Sequence, residues 1–147
     1  MLRIILSMLC LLPFLFPVHA NDISEMLIEK PWSKEVPPSS NVTAGFFVIE
    51  NLSGQDDKLL SASSPVAGKM ELHDHTHENG MMKMRQIDSI ALPAGERVAL
   101  RPGSLHLMLF DLKKHSVDGD VIPVTLQFES AADIEIELIV ESALYQP

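Results

Sequence analysis

Apolar and polar side chains alternate along several stretches of this chain. Residues 121–129 and 131–141 place an apolar side chain at almost every second position. Successive side chains of a β-strand point to opposite faces, so this pattern predicts two strands with one face in a core and one in water. Residues 105–110 also alternate, with three leucines on one face of the predicted strand. The other face carries His106 and Met108.

Turn residues separate the other predicted strands. These strands are rich in β-branched, aromatic or leucine side chains and lie between segments that contain Pro, Gly, Asn, Asp or Ser. They cover residues 23–30, 43–51, 58–64, 68–73, 81–90 and 97–100. Residues 33–42 and 74–80 are predicted as loops, and Pro31 as the end of the first strand. About eight or nine short strands without helical periodicity indicate a single all-β domain, an antiparallel sandwich or barrel.

The first twenty residues carry the features of a cleaved secretory signal peptide. Arg3 precedes the almost wholly apolar residues 4–18, and residues 18–20 resemble a small-x-small cleavage site. The apolar run contains two prolines and falls short of the roughly 20 residues that a membrane-spanning helix needs. We therefore expect residues 1–20 to be removed during export and residues 21–147 to form the mature domain.

Cysteine is absent from the predicted mature domain. The one cysteine of the chain, Cys10, lies in the signal, and residues 7–9 before it make a poor lipobox, so no lipid anchor is expected. A domain without cysteine has no disulfide, no thiolate zinc site, no thiol redox chemistry and no blue-copper site. The formal net charge of −9 becomes −10 when Arg3 is removed, because no acidic residue is lost with it. This acidity argues against binding to nucleic acid or to anionic membrane surfaces.

Histidine and methionine cluster between residues 70 and 108, and four of them have the residue types of a soft-metal site. The candidates are His73, Met84, His106 and Met108, separated by ten, twenty-one and one intervening residues. They would converge if their strands are neighbours at one end of the sandwich. Thioether sulfur is soft and uncharged, so two methionines with two imidazoles favour Cu(I) over Zn²⁺, Mg²⁺ or Ca²⁺. Four protein ligands leave no open coordination position, which is typical of carriage rather than catalysis.

The remaining methionines and histidines of this region are interpreted differently. Met70 and Met81 share strand faces with apolar residues, so we expect both to fill core space. Met82 lies on the strand face of Met84 and is a candidate auxiliary ligand.

His75 and His77 fall with Asp74 and Glu78 in the predicted polar loop. They would form either a weak Cu(II) or Zn²⁺ site or only a solvated loop. The second interpretation is favoured, because loops are commonly polar. His115 has no candidate partner and is expected at the surface.

The spacing of the four candidate ligands belongs to a longer set of matching segments. These are Glu71-Leu72-His73 and residues 79–85, 92–95, 100–103, 106–109 and 119–129. Together they closely resemble the bacterial periplasmic copper(I) chaperones called PCuAC, whose motif H-x10-M-x21-H-x-M is matched here without a gap. The resemblance covers nearly the whole predicted mature domain. Ser104 departs from it, because the family often has a second glycine after Pro-Gly.

The resemblance implies a cupredoxin-like Greek-key β-sandwich that binds Cu(I) through the two histidines and two methionines. It also implies a periplasmic location and delivery of copper to the CuA centre in subunit II of cytochrome c oxidase, or to a Sco-type thiol protein. We expect the protein to be a monomer. We also expect that it is not an enzyme, because the mature domain has neither a cysteine nor a G-x-S-x-G motif. Glu71 and Arg85 are candidates for orienting the ligands or a partner.

Two other functions compete with copper delivery. Storage or detoxification of copper would use the same four ligands, so the sequence does not separate it from delivery. A non-metal binding module, such as an adhesin-like sandwich, predicts that the mature domain binds no Cu(I). If copper is bound, its affinity is expected to fall as histidine is protonated near the reference pKa of about 6.5.

Overall fold

The computed structural model describes residues 25–78, 80–142 and 144–145, so the predicted signal peptide lies outside the described residues. These residues form ten β-strands and no helix, hence none that could cross a membrane. The strands are β1 Met26–Lys34, β2 Thr43–Asn51, β3 Asp57–Ser63, β4 Lys69–Glu78, β5 Met81–Ile87, β6 Ile90–Leu92, β7 Arg97–Leu100, β8 His106–Phe110, β9 Val121–Phe128 and β10 Ile134–Glu141. The all-β class predicted from the sequence is confirmed.

The strands follow one hydrogen-bonded path, β5-β4-β8-β2-β1-β10-β9-β3-β6, and β7 pairs with β2 beside β8. Among the described pairs, β1 and β10 run parallel and the others run antiparallel. The path folds back into two packed layers. A Cβ placed on Gly45 of β2 would lie 2.8 Å from Leu138 Cδ1 of β10. A larger residue at position 45 would therefore have to displace the buried Leu138 side chain.

The core lies between the layers and takes the apolar face of each alternating strand. β9 and β10 bury Ile122, Val124, Leu126, Phe128, Ile136, Leu138 and Val140. β8 contributes Leu107 and Leu109, which are both fully buried. Burial of one such side chain stabilises the fold by roughly 1.5–3 kcal/mol. These three strands therefore carry much of the stability of the sandwich.

A buried carboxylate ties the start of β3 to the residues that follow β9. Asp57 accepts hydrogen bonds from the backbone N–H groups of Lys58, Ser130 and Ala131 at 2.7, 3.0 and 2.9 Å. Burial raises the pKa of Asp57, but the backbone donors outweigh it and hold the pKa below its ordinary value of 3.8. The charged form of Asp57 therefore stabilises this side of the sandwich.

The first strand does not end at Pro31, so that prediction is wrong. β1 continues to Lys34, and its pairing with β2 shifts between Glu29 and Trp32. Pro31 lies in this bulge, where its missing N–H breaks no ladder hydrogen bond, and Lys30 takes a positive φ of 48°. The bulge bends the strand, and the second half of β1 pairs with β10.

Residues 74–80 are not the polar loop that the sequence predicted. β4 runs through this segment to Glu78 and forms a hairpin with β5, with Gly80 at a positive φ of 77° in the turn. β5 ends the path of strands, so both hairpin strands can present polar side chains to water without losing their ladder. The predicted strand 81–90 is also divided, since β5 ends at Ile87 and β6 begins at Ile90.

Candidate metal centre

Strands β5, β4 and β8 bring the predicted ligands onto one face of their sheet. The cross-strand pairs are His73 with His106, Glu71 with Met108, and His75 with Met84. Directly opposed residues share a face, as do residues two apart on one strand. The opposite face of the same strands carries Leu72, Leu107 and Leu109 into the core. The core therefore holds the strands in place without using any of the predicted ligands.

His106 is almost completely buried, with 3% of its surface exposed. Its Nδ1–H donates a 2.7 Å hydrogen bond to the Ser104 carbonyl, which leaves the Nε2 lone pair directed at Met84. His106 Nε2 and Met84 Sδ are 3.0 Å apart. Burial lowers the pKa of His106 below its ordinary value of 6.5, so the ring is neutral and able to bind a metal at neutral pH.

The turn before β8 sets the position of the Ser104 carbonyl. The Arg101 N–H donates to the Leu105 carbonyl at 2.8 Å, and the Ser104 N–H donates to the Arg101 carbonyl at 3.1 Å. Gly103 has a φ of 78°, which glycine adopts without strain. Ser104 acts through its backbone, so the departure of its side chain from the PCuAC pattern leaves the contact with His106 intact.

His73 presents one free nitrogen to the same face. Its Nε2–H donates to Glu71 Oε2 at 2.7 Å, while its Nδ1 is buried and has no hydrogen-bond partner among the described atoms. Lys69 also contacts the Glu71 carboxylate. Hydrogen bonds from Lys69 and from His73 hold the pKa of Glu71 below its ordinary value of 4.5. The charged carboxylate thus orients His73, as outer-shell carboxylates commonly orient metal-binding histidines.

Met84 and Met108 line a cavity of about 280 Å³ together with His75 and His106. Phe46 and Pro102 form parts of its wall. Met84 is 49% exposed on the outermost strand, whereas Met108 is partly buried on β8. One thioether is therefore accessible from solvent and the other is held by the interior of the sheet.

The structure corrects the predicted burial of two residues. His106 was predicted on the strand face opposite the core leucines, but it is buried as well, because Met84, Phe46 and His75 lie against its ring. Met81 was predicted in the core, but it is 59% exposed, because β5 has no layer packed over that part of it. Alternation distinguishes the two faces of a strand but does not say what covers either face.

Met70, Met82 and His115 fit their predicted positions. Met70 is partly buried and packs against the core. Met82 shares the face of Met84 in the β4–β5 register and is 54% exposed. His115 is exposed.

His75 belongs to this site, although the sequence interpretation favoured a solvated loop. It lies on β4 two residues after His73, it is half-buried, and its ring centroid is 5.0 Å from that of His106. The repeat of histidine at every second position was the signal for a strand face that sequence reasoning missed. His77 pairs with Met82 in the backbone ladder, but its side chain lies outside the described part. Within that part, no three His, Cys, Asp or Glu side chains come together as a metal site.

Solved structures with the same fold include copper-bound proteins. The structure described as "Copper-bound PCuAC domain from PmoF2" is 25% identical, covers 80% of this chain and 93% of its own, and superposes with a TM-score of 0.69. The Cu(I) form of DR1885 from Deinococcus radiodurans is 26% identical, covers 86% of this chain and 83% of its own, and has a TM-score of 0.64. The fold is therefore that of PCuAC domains, and the predicted cupredoxin-like sandwich is confirmed.

Sequence comparison assigns the family. The profile described as "Putative lipoprotein LpqE-like" matches residues 26–140, so the chain belongs to the LpqE-like family. One relative, "Putative lipoprotein Lxx21020" of Leifsonia xyli subsp. xyli, is 32% identical over 106 residues, which are 71% of this chain and 63% of that protein. The chain spans about three fifths of the length of the curated relatives that it matches.

Proposed function

We propose that this protein is an extracytoplasmic copper carrier that binds one Cu(I) ion through His73, Met84, His106 and Met108. The observation that carries the proposal is the 3.0 Å approach of His106 Nε2 to Met84 Sδ. The unpartnered Nδ1 of His73 lies on the same strand face. A metal ion with these ligands would satisfy a buried nitrogen that otherwise has no partner.

The chemistry of these donors selects Cu(I) among the common metal ions. Two thioethers are soft, and two neutral imidazoles are intermediate in softness, so the set is poorly suited to Mg²⁺ or Ca²⁺. All four donors are uncharged, so the bound ion keeps its single positive charge. A site of this kind releases copper more readily than a pair of thiolates would. The copper-bound relatives of similar fold support this choice of metal.

We infer that copper leaves the site by ligand exchange. Met84 is on the outermost strand and half-exposed, so a thiolate of a partner can reach the copper ion from that side. A new copper–thiolate bond would form as the bond to Met84 Sδ breaks, and no electron or proton needs to move in this step. The bonds from copper to Met108 and His106 would break last, because core leucines hold β8 in place.

The proposed recipient is the CuA centre in subunit II of cytochrome c oxidase, or a Sco-type thiol protein that acts with it. Both present thiol groups, which bind Cu(I) more tightly than thioethers do. Export follows from the predicted signal peptide, and the lipoprotein descriptions of the relatives agree with a location outside the cytoplasm. Mass spectrometry of the protein from the periplasm is expected to find Asn21 as the first residue.

Anaerobic titration of the purified protein with Cu(I), against a chromophoric chelator, tests the site. We expect one copper per chain, and a loss of affinity of about 100-fold for His106→Ala and Met108→Ala, since even outer-shell changes cost 10–100-fold. Met81→Ala is the control, because Met81 lies on the same strand as Met84 and is also exposed, but it is on the opposite face of that strand. Wild-type affinity in both ligand variants would overturn the proposed site. Absence of any Cu(I) binding would instead favour a non-metal module.

Deletion of the gene separates delivery from storage. If the protein delivers copper, cytochrome c oxidase activity falls when the deletion strain grows under copper limitation, and added copper restores it. If the protein stores or detoxifies copper, the deletion strain keeps its oxidase activity but becomes sensitive to excess copper. Complementation with the His106→Ala variant is the control. This variant should restore neither the oxidase activity, if the protein delivers copper, nor the resistance to excess copper, if the protein stores or detoxifies it.

A further inference from the structure

The cavity beside His106 is lined by a second complete set of two histidines and two methionines. We propose that His75 is a copper ligand that takes the place of His73 in this second set, His75, Met84, His106 and Met108. The inference rests on the proposed Cu(I) binding and adds a fifth ligand to it. Copper would then occupy two overlapping positions that share three ligands.

The position of His75 in the sheet supports this role. It is the direct cross-strand partner of Met84, on the face that also carries His106. Its ring centroid is 5.0 Å from that of His106, whereas the rings of His73 and His106 are 5.7 Å apart. His75 lines the 280 Å³ cavity with Met84, His106 and Met108, and His73 is not among the lining residues. Of His73 and His75, it is therefore His75 that faces the cavity.

A shared hydrogen-bond acceptor orients the rings of His75 and His106 in the same way. His75 Nδ1 is 3.3 Å from the Ser104 carbonyl, which already accepts the 2.7 Å bond from His106 Nδ1. With both Nδ1 atoms directed at one carbonyl, each ring has its Nε2 free for a metal. His73 is tethered differently, because its Nε2 is bound to Glu71 and its Nδ1 remains free.

Two overlapping donor sets give copper a short path within the protein. In the first position the ion is bound by His73 Nδ1, and in the second by His75 Nε2. Movement between them breaks one copper–nitrogen bond as the other forms, while Met84, His106 and Met108 stay bound. The copper stays Cu(I) throughout and no proton is transferred. The ion thereby reaches the cavity, where a partner can take it, without passing through water.

A double-mutant cycle with Cu(I) alone tests the proposal on the purified full chain. If either histidine can complete the site, His73→Ala and His75→Ala each weaken Cu(I) binding by about 10-fold or less, and the double variant by far more than the product of the two. His73→Ala combined with His115→Ala is the matched control, because His115 is exposed and away from the site. This control is expected to bind as the His73→Ala variant does.

A direct measurement accompanies the cycle and does not depend on the fold of a His75 variant. The ¹⁵N resonances of the histidine rings are recorded in the His73→Ala protein before and after one equivalent of Cu(I). Cu(I) has a filled d shell and leaves these resonances observable. We expect the Nε2 resonance of His75 to shift strongly, together with that of His106, and the resonances of His115 to stay unchanged.

The outcomes separate this proposal from the proposed function. If wild-type protein binds Cu(I) and His106→Ala weakens it, but His75→Ala binds as wild type and the double variant binds as His73→Ala, only the role of His75 is overturned. An unchanged His75 Nε2 resonance on loading overturns it as well. If wild-type protein binds no Cu(I), both proposals fail. Cooperative loss in the double variant with a shifted His75 resonance supports both.

Discussion

The hairpins β9–β10 and β4–β5 use apolar side chains in opposite ways. In β9 and β10 every second side chain is apolar and buried or partly buried, and most of the side chains between them are exposed. In β5 every residue before Ile87 is exposed, including Met81, Met82 and Met84 at 59, 54 and 49%. Exposed apolar side chains in a group commonly mark a binding surface. The first hairpin therefore stabilises the sandwich, and the second exposes thioether side chains to the outside.

Strand β8 joins these two kinds of structure. Leu107 and Leu109 on one face have no exposed surface, and His106 and Met108 occupy the other face. Changes on the core face should reduce stability, and changes on the ligand face should reduce copper binding. Stability and copper binding should therefore respond to different substitutions.

Truncation of a core residue and of an exposed methionine should give very different stabilities. Leu126→Ala in β9 removes a side chain with 0% exposure, and such truncations cost about 2–5 kcal/mol. Met82→Ala in β5 should change the free energy of unfolding by less than about 0.5 kcal/mol, as is usual at exposed sites. Urea denaturation followed by circular dichroism measures both. A loss for Met82→Ala as large as that for Leu126→Ala would mean that β5 is part of the stabilising core.

Replacement of a methionine by leucine on the ligand face should affect binding alone. Met84→Leu keeps the apolar volume and removes the sulfur, so Cu(I) affinity should fall about 100-fold, or about 2.7 kcal/mol. The free energy of unfolding of the metal-free protein should stay the same, because this side chain is half-exposed. Met81→Leu, on the opposite face of β5, is the matched control and should retain wild-type affinity. Equal losses in the two variants would show that β5 binds copper without a defined ligand.

Loss of the carboxylate behind His73 should weaken copper binding to a smaller extent. Glu71→Ala removes the acceptor for His73 Nε2–H, and loss of such an outer-shell partner costs about 10-fold in affinity, at the low end of the usual range. Glu71→Gln keeps an acceptor without the charge, so its affinity should lie between those of wild type and Glu71→Ala. Glu135→Ala on the exposed face of β10 is the control. Isothermal or chelator titration with Cu(I) gives the ranking, and a reversed order of the two variants would argue against the orienting role.

Acid should destabilise the metal-free protein in two separate pH windows. The pKa of His106 is lower in the folded chain than its ordinary value of 6.5, so the unfolded chain binds the proton first and stability falls as the pH decreases below 6.5. The pKa of Asp57 is also lowered, so its contribution is complete above 3.8 and is lost as the pH falls through the folded value. His106→Gln should remove the first dependence and Asp57→Asn the second. Denaturation across both windows checks this, and stability that rises on acidification through 6.5 would contradict it.

Local composition, turn residues and alternation predicted much of the fold. Residues 43–51 and 97–100 were predicted as strands with the boundaries that the structure has, and the buried residues of β9 and β10 are those that the pattern indicates. Alternation is reliable in β9 and β10 because one face of each strand is covered by core and the other is not. It failed at 74–78, where β4 extends beyond its pairing with β8 and pairs only with the outermost strand β5, so no apolar alternation is required.

By itself, the sequence determined the residue types, their spacing and the face of each strand. From these came the four candidate ligands and the all-β class, because side-chain direction in a strand is a local property with a period of two. Tertiary structure alone decided that β1 pairs in parallel with β10, that His106 is buried, that Met81 is exposed and that His75 lies against His106. Each of these depends on which strand is the neighbour and what covers the sheet, and those contacts join residues that are far apart in the chain.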